Sequence, residues 1–120
     1  MKYLLILQMN PEVMDALSED ERQAIYRGHM EFIDTITTSG EMCTTHALAD
    51  PSTSITVRRG ADGTPTVTDG PYLESKEFMA GFYIVDCESR DRVVELVKTI
   101  PDSRHTGVEI RQIMSDGGTD

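Results

Sequence analysis

The chain is predicted to fold as one α+β domain of the split βαβ kind. Three observations point there. Two apolar runs, residues 3–9 and 78–86, are continuous enough to be interior strands. Each is followed by a serine-capped segment with helical periodicity, and each helix by a further strand. Between the two halves lies a turn-rich polar stretch with a hairpin signature. At 120 residues the chain suffices for one core, here assigned to residues 1–114, with the polar, glycine-rich residues 115–120 expected to fray.

The elements follow in order. Tyr3 to Met9 is apolar on both alternating faces. Ser18-Glu19-Asp20-Glu21 forms a capping box, with Glu21 reaching back from the third helical position. The helix it opens runs to about Ser39, where Gly40 supplies the stop. Residues 42–48 form a weaker strand, and Ile55–Arg58 with Thr66–Thr68 flank Asp62-Gly63 as a hairpin. Phe78 to Asp86 is the second strong strand. Ser89 caps a helix that runs from Arg90 to about Ile100 and stops at Pro101. Its Val93, Val94, Leu96, Val97 and Ile100 make the buried stripe. Val108 to Ile113 alternates as the last strand.

The order β-α-β, hairpin, β-α-β is the ferredoxin-like plan. Two helices cover one face of such a sheet, yet both strong strands are apolar on both faces. A second copy packed sheet to sheet is the expected cover, so a homodimer is predicted.

Composition narrows the function classes. Lys and Arg total 11 against 21 Asp and Glu, for a net charge of −10 and a pI near 4.6. No clustered basic face is available for nucleic acid or an anionic membrane surface. No run reaches the roughly 20 apolar residues of a membrane span, and Tyr3–Leu7 is too short for a leader. Cys43 and Cys87 read as free thiols, which points to a reducing compartment such as the cytoplasm.

His29 is the first candidate for chemistry. At 100° per residue, Ile25, Tyr26, Phe32, Ile33 and Ile36 lie within about 60° of it, which puts the imidazole in the core-facing stripe. There it serves either as a core histidine bonded to a backbone carbonyl or as a proton carrier near neutrality. Asp69 either closes its own turn with Gly70 and Pro71 or orients His29. Glu74, Ser75, Lys76 and Glu77 form either a solvated, mutually paired charge run or, together with Asp69, a polar mouth, and Tyr72, Lys76 and Glu77 are the candidates there for holding a small molecule. Tyr83 either packs in the core or presents its hydroxyl to a cavity. Cys43-Thr44-Thr45-His46 is poor metal chemistry, because residues 43 and 46 of a strand face opposite sides, and no metal is expected. His105 falls in a loop after Pro101 and is expected to be exposed. Neither a phosphate-binding loop nor a dinucleotide fingerprint occurs, and no Gly-x-Ser-x-Gly.

Asp69-Gly70-Pro71-Tyr72 resembles the DGPF signature of the YCII-related domain family, with Tyr in place of Phe. Met1-Lys2-Tyr3-Leu4-Leu5, Thr53 to Arg58 and Thr68 to Glu77 are similar to the same branch. Ala80-Gly81-Phe82-Tyr83-Ile84 resembles its GGFY strand, and Val108-Glu109-Ile110-Arg111 its VEVRP close. The likeness spans about residues 1–114 and implies a dimeric α+β barrel. His29-Met30-Glu31-Phe32 resembles the segment carrying the histidine of a proposed His–Asp pair. Asp69 is the carboxylate assigned to it, with Asp50 in reserve. With this resemblance, the chain is expected to bind a small molecule and to act as a cofactor-independent lyase or isomerase, with His29 as acid or base and Asp69 orienting it. The alternative is a non-catalytic, ligand-sensing or regulatory dimer that binds a protein partner. Relatives on this fold catalyse many reactions, so fold alone selects none.

Overall fold

The structure is a computed structural model that describes residues 1–71 and 75–117. Six strands and three α-helices follow in the order β1 (Lys2–Met9), α1 (Pro11–Asp15), α2 (Glu19–Ser39), β2 (Met42–Ala47), β3 (Ile55–Arg59), β4 (Pro65–Asp69), β5 (Phe78–Asp86), α3 (Arg90–Val97) and β6 (Val108–Gln112). Short 3-10 turns at Pro51–Thr53 and Pro101–Arg104 complete it. The main sheet has the order β2-β5-β1-β6 and is antiparallel throughout. That is the predicted ferredoxin-like arrangement, with β3 and β4 inserted as a separate hairpin.

Local chemistry sets the helix ends. Both halves of the capping box form at Ser18 and Glu21, and Gly40 closes α2 in the left-handed region at φ 82°. The Ser89 hydroxyl accepts from the Arg92 amide to open α3. Helix α3 ends at Val97, three residues before the expected stop, because the chain tightens into turns ahead of Pro101. Helix α1 is an addition to the expected order and is too short to show an apolar period; Asn10 caps it and Pro11 opens it.

One sheet face is covered by α2 and α3. Tyr3 and Leu5 of β1, Tyr83 and Val85 of β5, Phe32 and Ile36 of α2, and Val93 and Leu96 of α3 form one buried cluster. Fully burying each such side chain contributes roughly 1.5–3 kcal/mol. Tyr26 departs from the predicted stripe. It sits at the stripe's edge, beyond the reach of the sheet, and is 63% exposed.

The opposite face is apolar too. Paired neighbours Leu4 and Ile84, and Ile6 and Phe82, run across β1 and β5. The Glu109–Arg111 ion pair flanks them on β6. The hairpin is different again. Ile55, Val57 and Val67 are 64%, 63% and 64% exposed. The radius of gyration, 16.9 Å, exceeds the roughly 14 Å of a compact chain this long, as a projecting arm requires.

Candidate functional site

His29 stands at the middle of α2, on the side facing the sheet. Its Nδ1 lies 2.8 Å from the Tyr83 hydroxyl of β5, and its Nε2 lies 2.6 Å from Asp102 Oδ1 in the turn after α3. A carboxylate only accepts, so Nε2 carries a proton and donates it to Asp102. In the neutral ring Nδ1 is then an acceptor, and the Tyr83 hydroxyl donates to it. The three side chains form one chain of hydrogen bonds, Asp102–His29–Tyr83. His29 and Asp102 are only 19% and 17% exposed, so the bond operates largely out of water.

Each member is held from behind. The Tyr83 ring meets Phe32 edge-on at 4.9 Å between centroids. Burial, together with the nearby Asp102 charge, pushes the Tyr83 hydroxyl up to about 12, so it stays protonated at neutral pH. The Asp102 carbonyl accepts from the amides of His105 and Gly107, and the Thr106 hydroxyl ties the same loop to the Gln8 carbonyl at 2.8 Å.

Gly28 permits the approach of that loop to α2. A Cβ at position 28 would fall 2.4 Å from the Pro101 ring, well inside contact distance. A hydrogen there lets Pro101 lie against the helix and brings the next residue, Asp102, onto His29.

His29, Tyr83 and Asp102 line one wall of a cavity of about 410 Å³. Most of the remaining wall is apolar and comes from β1, α1, α2, β2 and the start of β5, with Leu7, Met9, Met14, Ile25, Met30 and Ile33 prominent. His105, exposed as expected, also reaches its rim. The arrangement can accept a proton from a bound molecule, pass it along the hydrogen-bond chain, or donate it back from Tyr83.

A model of the YCII-related domain matches residues 1–115. The chain belongs to that family. An uncharacterised protein of Rhizobium meliloti is 26% identical over 103 residues, covering 86% of this chain and 82% of the relative. Among solved structures, the 5-chloro-2-hydroxyhydroquinone dehydrochlorinase of Burkholderia phenoliruptrix, in complex with 2,5-dihydroxybenzoquinone, is similar with a TM-score of 0.56. The two chains are covered in full but are 15% identical, so the likeness is one of fold.

The carboxylate at His29 is therefore Asp102, which replaces the expected Asp69 and its reserve Asp50. Asp69 ends β4 opposite Ile55 and is exposed. Asp50 is spent capping the 3-10 turn, where it accepts from the Ser52 amide. A helix-to-strand loop 73 residues from His29 offers no local pattern that announces such a pairing. Lys76 and Glu77 are exposed and lie outside the cavity wall; Lys76 sits 3.8 Å from Glu12 on the surface. Glu77 borders a separate shallow depression beside Thr106. Tyr72 lies outside the described residues. Tyr83 is both packed and turned to the cavity, which unites its two expected roles. Cys43 and His46 are exposed, and among the described residues no group of three potential ligands is placed to hold a metal ion. No described helix is long and apolar enough to cross a membrane.

Proposed function

We propose that this protein is a cofactor-independent acid–base enzyme, of lyase or isomerase type, acting on a small organic molecule held in the His29 cavity. The observation that carries the reading is the Asp102–His29–Tyr83 chain set into an apolar wall. Asp102 fixes the tautomer and orientation of the imidazole. Tyr83, protonated at neutral pH, donates to His29 Nδ1 at rest. When it turns to a bound molecule it offers that hydrogen bond to an oxygen that gains charge as a neighbouring C–H proton leaves, and Nδ1 is freed as the base. His29 takes that proton at Nδ1 once the phenol has turned aside. In an elimination the C–H electron pair becomes the new π bond and the leaving group departs with its own pair. In an isomerisation the proton returns at another atom. Neither route needs an oxidant.

The test is catalysed proton abstraction. Two probes suit it: cyclohexanone in D2O, followed by proton NMR, and the chlorinated quinol named for the structural neighbour, followed by chloride release. Wild-type protein should accelerate at least one, and His29→Gln should remove about 10²–10⁴-fold of that acceleration. Equal rates for the two proteins would sink the reading.

The apolar sheet face formed by Leu4, Ile6, Phe82 and Ile84 supports a homodimer of the dimeric α+β barrel kind, with the faces packed together. Light scattering at micromolar concentration checks it, and a monomer would refute it. Cys43 and Cys87 are both free, which fits the cytoplasmic setting expected from the sequence.

A further inference from the structure

The wall of the His29 cavity also carries information about charge. None of the 11 Lys and Arg side chains lines it among the described residues. The undescribed residues, Tyr72, Leu73, Glu74, Gly118, Thr119 and Asp120, contain no cation either. The ionisable wall groups among the described residues are His29, His46, His105, Tyr83 and Asp102; the Asp102 carboxylate is bonded to His29, and the whole chain carries a net −10. A carboxylate or phosphate bound here would be desolvated beside a like charge with no guanidinium or ammonium to meet it, which is a severe penalty.

The rest of the wall is equally selective. Met9, Met14 and Met30 come from three different elements, β1, α1 and α2. Thioethers are flexible and polarisable and favour ring edges. The volume of about 410 Å³ lies near the small end of ligand pockets, roughly 300–1,000 Å³. The Asp102–His29–Tyr83 chain supplies hydrogen-bonding groups within this wall.

We infer that the cavity selects uncharged, ring-sized molecules bearing one weakly acidic hydroxyl, or a C–H beside a carbonyl, and rejects carboxylates and phosphates. This rests on the ligand-binding role proposed above and adds its substrate class: phenols, enols and ring ketones rather than organic acids or acyl phosphates. The methionine wall takes the ring, and the acidic hydrogen faces Tyr83 and His29.

A matched pair of probes tests it. 4-Hydroxybenzamide and 4-hydroxybenzoate share shape and differ by one charge at neutral pH. Titration of the full-length protein, followed on the methionine methyl resonances, should show saturable shifts at Met9, Met14 and Met30 with the amide. The amide should bind at least tenfold more tightly than the acid. Asp102→Asn should shrink that ratio to threefold or less, because it removes the like charge. Equal or tighter binding of 4-hydroxybenzoate to the wild type would overturn the inference. So would a lack of saturable binding by both 4-hydroxybenzamide and hydroquinone. The wild-type ratio decides the matter even if Asp102→Asn fails to fold. Selectivity without catalysed exchange would retain this inference and refute the acid–base reading, while exchange without selectivity would do the reverse.

Discussion

Asp102 with His29 and Glu41 with Arg92 are both carboxylate–base pairs made between distant parts of the chain, yet they are built for opposite ends. Arg92 reaches Glu41 through two bonds, Nε to Oε2 at 3.0 Å and Nη2 to Oε1 at 2.8 Å, and Ser39 adds a third at 2.7 Å. The Arg92 hydrogen bond holds the Glu41 carboxyl at about 2, well below its ordinary value, against the opposing effect of burial. That pair ties α3 to the start of β2, lines no part of the His29 cavity, and pairs an acid with a base that never loses its proton near neutrality. Asp102 is paired instead with an imidazole, whose proton is mobile, and the pair faces a cavity. Similar short bonds therefore lock one end of the fold and leave the other able to move a proton. The difference is the choice of base and access to a bound molecule.

Breaking each pair separately should separate the two roles. The largest effect belongs to His29→Gln, which should cost about 10²–10⁴-fold in exchange while leaving the melting temperature within a few degrees of wild type. Arg92→Met should do the converse: it strands Glu41 and lowers the melting temperature by roughly 5 °C, with exchange at permissive temperature unchanged. If both variants lose stability equally, the His29 cluster is structural and the contrast fails.

Gly28→Ala probes the positioning of the mobile pair without touching its members. The added methyl meets the Pro101 ring and should drive Asp102 off His29, for a loss of about 10–100-fold in exchange. The low-field Nε2 proton resonance of His29 should weaken in parallel. Adding Pro101→Ala removes the colliding ring atoms and should restore most of both signals. Failure of that rescue would mean that the contact does not position the pair.

A fourth effect is smaller and depends on pH. The folded carboxyl of Glu41 sits at about 2 against an ordinary 4.5. A depressed carboxylate stabilises the fold above its unfolded value. That contribution is therefore complete above about pH 4.5 and disappears as the pH falls toward about 2. Urea midpoints measured across this window should fall on acidification, and Glu41→Gln should remove close to one proton's worth of the slope. The smallest effect concerns the thiols. Cys87 is buried, and burial with the Glu41 contact pushes it up to about 12, whereas Cys43 is exposed. A thiol reagent at neutral pH should label Cys43 rapidly and Cys87 only on unfolding.

Much of this was legible in one dimension because its causes are local. The Ser18–Glu21 box, the Ser89 cap and the two-sided apolarity of residues 3–9 act within a few residues, and helix periodicity alone turned His29 toward the sheet. Tyr26 shows the limit of the same reasoning: periodicity ranks the faces of a helix but does not say how far the covering sheet extends. The partner of His29 was beyond local reasoning. Asp69 carried the conspicuous motif, while Asp102 sits in an ordinary Pro-Asp turn.

The sequence by itself determined the order of elements, the antiparallel split βαβ plan and the presence of an imidazole in the core-facing stripe, since capping and side-chain periodicity act over a few residues. Tertiary structure alone decided which carboxylate meets that imidazole. The choice depends on a Pro101 ring fitting against a helix that lacks a Cβ at Gly28, and on a loop pinned by Asp102 and Thr106, contacts between segments far apart along the chain. Such contacts follow from packing in space, and no spacing along the sequence encodes them.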